Sequence, residues 1–246
     1  MQLFVIMKKH LKKSHLKGFT LAESVIALGI LVVLITGFLA VFGPAATVIR
    51  KTLSADEASR LQTTLERELS NVREGDDEQR YLSNSFYKAM NWISRSHERG
   101  NTILIYKYRG NPAEIRIDGT LEPTDRGEIQ LAGEDYVIQP MVRRIDDPLL
   151  EDDLGAVDGR VFFVKMTQLI FEGEGLRVAE EIGVITDPYD PGEDFAATPD
   201  EYPEAVIAYE AQFFTLPTVS YDFLTNAFNP EKFTKPVFTR NLSVLR

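Results

Sequence analysis

A single carboxylate interrupts the most apolar stretch of this sequence. From Phe19 to Phe42 run 24 residues in which Glu23 is the only charged side chain. An ionised carboxylate costs about 2.5–3.5 kcal/mol at the centre of a membrane span and less near an end, so such a residue usually signals a partner. The bland alternative is a glutamate that sits at headgroup level and reaches water. Other chemistry is sparse. The chain has no cysteine, which excludes disulfides, thiolate metal sites and cysteine nucleophiles together. Of its three histidines, His10 and His15 lie in the basic N-terminal segment, leaving His97 for the body. No Gly-x-Ser-x-Gly elbow, phosphate loop or His-Glu-x-x-His pair occurs, and a Ser-His-Asp arrangement has only His97 to draw on. The expectation is a chain that is not an enzyme, with no catalytic residue and no cofactor, although hydrolysis by carboxylates alone stays formally open.

Acidic residues offer the remaining candidates. The stretch 187–203 is acidic and proline-rich, and reads as an exposed loop. Within it Asp187, Asp190, Glu193 and Asp194 are hard oxygen ligands of the kind calcium takes, but their spacing matches no EF-hand, and a solvated loop is the commoner outcome. Glu151-Asp152-Asp153 is a weaker candidate of the same kind.

The elements that position these groups begin with the apolar run. As a helix, 24 residues span roughly 36 Å, enough to cross a bilayer. Residues 1–18 carry five lysines (Lys8, Lys9, Lys12, Lys13, Lys17) and no acid, which leaves 22 basic against 37 acidic side chains downstream. By the positive-inside rule the N-terminus stays cytoplasmic and the acidic remainder is exported. An acidic body repels phosphate, so nucleic acid is not an expected partner. A secretory signal peptide would have an apolar core of about 7–15 residues and a small-x-small cleavage site, and the nearest candidate, Gly43-Pro44-Ala45, contains a proline.

Lys17-Gly18-Phe19-Thr20-Leu21-Ala22-Glu23-Ser24 places a glycine just before the apolar run and the lone carboxylate five residues beyond it. This pattern resembles the cleavage and methylation motif of prepilin-type proteins, the type IV pilins and type II secretion pseudopilins. The resemblance implies that a prepilin peptidase cuts between Gly18 and Phe19 and N-methylates Phe19, removing the 1–18 leader while the helix survives. It also implies that Glu23 is the assembly glutamate, the fifth residue of the mature chain. A free ammonium at Phe19 would then supply the missing partner. Within one helix, or between staggered neighbours, the two charges would neutralise each other in low dielectric and set the register of a filament. Some pseudopilins bind calcium in a loop comparable to 187–203. The resemblance covers Leu16 to about Phe42.

The organisation that follows is α+β: a long N-terminal hydrophobic stem helix packed on an antiparallel β-sheet, with a second short helix. The segments expected are a leader at 1–18, a transmembrane helix at 19–44, stem and second helix at 45–99, and a β-rich extracytoplasmic domain at 100–246. Gly29, Gly37 and Ala40 recur near one face of the span, where another helix could approach closely. Pro44 predicts a kink or local melting. Leu61, Leu65, Leu69 and Val72 then form a stripe at helical spacing. Ser54-Ala55-Asp56-Glu57 reads as a capping box, so a fresh helix at Ser54 and a continuous stem are both open. A second helix is predicted over 86–97, with Phe86, Met90 and Ile93 on one face. Strands in an antiparallel meander are predicted over 103–108, 114–117, 136–145, 161–171, 176–186, 205–214 and 236–242. The first pair flanks a turn at Gly110-Asn111-Pro112. The late aromatics Phe213, Phe214, Tyr221, Phe223, Phe228, Phe233 and Phe238 are read as sheet core before docking surface.

Function follows from the helix. The leading expectation is a pilin-like or pseudopilin-like structural subunit of a type IV pilus or type II secretion pseudopilus. It would sit in the bacterial inner membrane by one span, with the prepilin peptidase and other pilin-like subunits as partners. A processed length of 228 residues without cysteine leans towards a minor component. The rival is a membrane-tethered adhesin or binding domain that does not polymerise.

Overall fold

A computed structural model describes residues 19–73, 84–124, 131–173, 175–180, 182–189 and 199–246. The chain divides into two units, Met1–Arg50 and Lys51–Arg246. Helix α1 covers Leu21–Leu69, 49 residues without a break. Pro44 lies inside it, so the expected local melting does not occur. A proline withdraws one backbone donor, here the one that Ala40 O would accept, while the helix continues through it. Nearby, Thr47 Oγ1 donates to Gly43 O at 3.2 Å and Thr36 Oγ1 to Val32 O at 2.8 Å. Ser54 is buried mid-helix and starts nothing, which decides between the two readings of the stem in favour of the continuous one.

From Ser54 onward α1 packs. Leu61, Leu65 and Leu69 of the predicted stripe are buried, with Ala58 beside them, but Val72 lies beyond the helix end and is exposed. Asn71 closes that end by donating from its side chain to Arg67 O at 2.9 Å. Helix α2, Ser85–Arg95, starts on an Asn84 cap whose side chain accepts from Tyr87 N at 3.0 Å. It buries Phe86, Ala89, Met90 and Ile93, the expected face, together with Lys88 and Trp92.

Among the described residues seven strands form an antiparallel sheet: β1 Ile103–Ile115, β2 Leu121–Pro123, β3 Val137–Arg144, β4 Phe162–Glu172, β5 Gly175–Val178, β6 Val206–Thr215 and β7 Phe238–Leu245. The order is β2-β1-β4-β6-β7, with β3 also on β1 and β5 also on β4. This is no simple meander, because β1 is flanked by β3 on one edge and by β2 and β4 on the other.

β1 also corrects the first predicted hairpin. Gly110-Asn111-Pro112 lies inside one 13-residue strand, and Pro112 falls where the register with β2 shifts between Asn111 and Ile115. There a missing N–H is tolerated. Gly110 serves close approach rather than a turn, since a Cβ there would lie 2.6 Å from Leu121 Cβ. The true turn follows at Arg116–Thr120, where Asp118 accepts from Thr120 N at 3.0 Å and Gly119 takes φ 76°. Of the predicted 176–186 strand, among the described residues, Leu176–Val178 pairs with β4 and Ala179 N adds a bond to Gln168 O at 2.9 Å. Beyond it the buried Gln168 side chain takes over, accepting from Thr186 N at 2.8 Å and donating to Thr186 O at 2.7 Å.

Alternation along the strands divides the core in two. Ile103, Ile105, Phe162, Val164, Tyr209 and Phe213 face α1 and α2, whereas Leu104, Tyr106, Phe163 and Phe214 face the opposite side. That second face is covered by α3, Leu150–Gly155, and by the segment bearing Tyr221, Phe223, Phe228 and Phe233. The late aromatics are thus largely core: Phe163 stacks on Phe214 at 4.9 Å and meets Phe228 and Phe233 edge-on.

Candidate functional site

The first turn of α1 holds the residue singled out by charge. Thr20 N and Thr20 Oγ1 both donate to Glu23 Oε2, at 2.9 and 2.8 Å, while Glu23 N donates to Thr20 Oγ1 at 3.2 Å. These reciprocal bonds are a capping box, which satisfies helix-start donors that otherwise lack partners. The carboxylate thus has a local partner within its own helix turn. Sequence reading missed this, although Thr20-Leu21-Ala22-Glu23 carries the same Thr/Ser-x-x-Glu signal as Ser54–Glu57. Phe19 is exposed beside it. Gly18 lies outside the described residues.

From Leu21 through Leu53 the large apolar side chains of α1 are exposed, among them Val25, Leu31, Leu39 and Ile49. Gly29 and Gly37 have open space where a Cβ would stand, so nothing among the described residues uses their small size. This helix is long and apolar enough to cross a membrane, and none of its most apolar window is buried within the protein. Such a surface is compatible with a membrane or with packing against other helices.

The other candidates resolve into structure. Asp187 Oδ1 accepts from Tyr189 N at 2.8 Å, while Asp190, Glu193 and Asp194 lie outside the described residues. Among the described residues no cluster of three or more His, Asp or Glu is placed to hold a metal. Asp153 is fully buried, so the Glu151–Asp153 calcium reading is corrected: arginines hold the site instead. Arg143 Nε lies 2.5 Å and Tyr106 OH 2.7 Å from its Oδ2, and Arg116 Nη1 lies 2.7 Å from its Oδ1. Arg143 also reaches Asp118 at 2.9 Å and Asp147 at 3.0 Å. Burial works against the Asp118 carboxylate, yet hydrogen bonds from Thr120 and the Arg143 guanidinium outweigh it and hold its pKa below the usual range. Burial and the adjacent Asp153 charge push the Tyr106 phenol far up.

A second buried ionic group joins the two helices. Lys88 Nζ donates to Glu68 Oε1 at 2.6 Å and to Asn71 O at 3.0 Å, and lies 4.9 Å from the Trp92 ring centroid. Arg73 meets the other Glu68 oxygen and also Met141 Sδ at 3.2 Å. Glu57, the last residue of the supposed cap at Ser54, binds Lys107 at 2.9 Å and Arg160 at 3.2 Å. His97 Nε2 lies 3.0 Å from both Met166 O and Thr167 Oγ1, so the ring is tied to β4. Burial lowers its pKa, against the opposing pull of the Met166 carbonyl. It borders an open cleft of about 570 Å³ with Glu98, Arg99, Asn229 and Glu231.

The chain matches no protein-family model, no curated protein and no solved structure. What stands is an α+β protein with a long N-terminal apolar helix, an antiparallel seven-stranded sheet and a second short helix. Its helix is compatible with a single membrane anchor.

Proposed function

We propose that this chain is a pilin-like or pseudopilin-like structural subunit, assembled through α1 into a type IV pilus or type II secretion pseudopilus as a minor component. The observation that carries the reading is the exposed apolar length of α1, whose one charge before Arg50 is Glu23 in its first turn, directly after Lys17-Gly18-Phe19. An apolar rod exposed among the described residues is stable in lipid, and leaves lipid at low cost only where other apolar helices surround it. Prepilin peptidase cuts between Gly18 and Phe19 and methylates Phe19, and Glu23 then meets the new ammonium of its own or a neighbouring helix. Before assembly the protein sits in the bacterial inner membrane with five lysines on the cytoplasmic side and the acidic body outside. Its role is structural rather than enzymatic.

N-terminal mass spectrometry of membrane-extracted protein tests this directly. The expected mature chain begins with methylated Phe19. A native chain that keeps its lysine-rich head, or one that begins beyond Pro44 as a secreted product, overturns the proposal. Changing Glu23 to Ala should abolish assembly, and a variant that still enters filaments normally would refute the role given to that residue.

A further inference from the structure

Strand β7 ends the sheet on one side. It pairs with β6 at all eight positions from Phe238 to Leu245 with no shift of register, and among the described residues no strand pairs its other edge. Arg246 N donates to Ala205 O at 2.8 Å, in step with the β6 register. Alternation along an antiparallel ladder carries that pattern inward. Phe238, Arg240, Leu242 and Val244 therefore turn their backbone groups to β6, whereas Thr239, Asn241, Ser243 and Leu245 turn theirs outward. All four outward residues are exposed.

Natural edges commonly refuse a further strand by proline, lysine, a bulge or a covering element. Between Phe238 and Leu245 β7 contains no proline, lysine or register shift; Lys235 and Pro236 lie just before it, where Val237 N donates to Phe213 O at 2.8 Å. The contrast with β3 is clear: among the described residues β1 is its only strand partner, yet Met141–Arg144 is buried, with Arg143 enclosed by Asp118, Asp147 and Asp153.

Charge identifies what the open edge accepts. Residues 229–246 carry four basic side chains and one acidic, in a chain of net charge -10. Lys232, Lys235 and Arg240 are exposed. We propose that the outer edge of β7 takes an extended, acidic segment of another protein, which adds to the sheet as one more strand. Backbone bonds to Thr239, Asn241, Ser243 and Leu245 supply affinity, and carboxylates facing Arg240 and Lys235 supply selectivity. A second copy pairing β7 with β7 is disfavoured, because it sets two basic edges against each other. The inference concerns the Lys51–Arg246 unit and does not depend on the fate of the N-terminal helix.

Residue-resolved hydrogen exchange on the full chain in detergent tests it. The probes are a peptide of about ten residues alternating valine and glutamate, its counterpart with lysine for glutamate, and one with proline for valine. The glutamate peptide should slow exchange of the Asn241 and Ser243 amides by about tenfold or more, and the other two should not. Arg240→Glu, at an exposed position, should weaken that protection severalfold. Asn241→Pro removes one outward N–H, leaves the bonds to β6, and should abolish it. The proposal fails if the glutamate peptide gives no protection, if the lysine peptide protects equally, or if both variants bind as well as the parent. It also fails if β7 becomes protected on concentrating the chain alone, which would make the occupant a second copy.

Discussion

Changing Asp153 to Ala removes the carboxylate on which three buried groups converge. Arg143 loses a bond of 2.5 Å, Arg116 one of 2.7 Å and the Tyr106 hydroxyl one of 2.7 Å. Breaking a buried ion pair by deleting one partner costs about 3–5 kcal/mol, because the charge left behind has been taken from water without compensation. Two features place this case near the lower end. Arg143 keeps Asp118 and Asp147 at 2.9 and 3.0 Å, and Arg116 keeps Glu122 at 2.9 Å. Tyr106 keeps no such substitute, and a buried hydroxyl without a partner costs about 1–3 kcal/mol of that total. The expected loss is about 3 kcal/mol for Asp153→Ala, and about 2 kcal/mol for Asp153→Asn, which retains one acceptor oxygen. Urea unfolding of the full chain in detergent gives the measurement. Trp92 is the one tryptophan of the chain and is buried on α2, so its fluorescence follows the α+β body. A loss below about 1 kcal/mol for the alanine variant would show that the remaining carboxylates hold both guanidiniums and that Asp153 is not the centre of the group.

Three further outcomes follow from the same packing. Lys88→Met alone should cost about 3 kcal/mol by leaving Glu68 underpaired, whereas Lys88→Met with Glu68→Leu should recover part of that loss, Arg73 then giving up its bond to Glu68; a double variant no better than the single would refute the pairing argument. Gly159→Ala should cost about 1–3 kcal/mol, since φ there is 97° and a Cβ would lie 2.6 Å from Glu57 Oε1; equal urea midpoints would show that Glu57 moves aside freely. Burial pushes Tyr108 and Tyr202 up to about 12, and Tyr106 and Tyr209 in the same direction. Raised phenol pKa values give stability that is complete below about pH 10 and lost as pH rises through the folded values. The tyrosinate absorbance of these four should therefore appear only together with unfolding above that range, and a signal near pH 10 that accounts for all nine tyrosines with the fold intact would refute it.

The apolar stripe Leu61, Leu65 and Leu69 was legible because period and burial agree, and so were α2 and the long β4, where apolar runs have one sensible use. Lys88 was not. Lysine is read as solvated unless its partner is visible, and Glu68 lies 20 residues away across a helix junction. Pro112 misled for a related reason: proline beside glycine signals a turn, yet a strand edge with a register shift tolerates it equally, and only the pairing shows which. Asp153 read as one of three adjacent acids, and nothing local distinguishes the one that folds inward to meet Arg143 and Arg116. At the candidate site the position of Glu23 was legible from hydropathy, but its bonds to Thr20 were overlooked although the four-residue pattern was present.

Those bonds give Glu23 two roles that separate on charge alone. As a cap it needs only an oxygen that accepts from Thr20 N and Thr20 Oγ1, and glutamine serves that position in the same motif. As the assembly residue of the proposed reading it needs a negative charge, because its partner is the ammonium that cleavage creates at Phe19. Glu23→Gln should therefore be cut and should keep its helix start, yet enter filaments at least about tenfold less, the effect of about 1.4 kcal/mol. Thr20→Val is the converse change. It removes the hydroxyl and costs the helix start about 1 kcal/mol, while the carboxylate stays. Filament yield, measured against the membrane pool by quantitative blotting, should fall for Glu23→Gln and hold for Thr20→Val. If the two variants assemble alike, or if the valine variant is the worse, then capping accounts for the glutamate and the charge has no part in assembly.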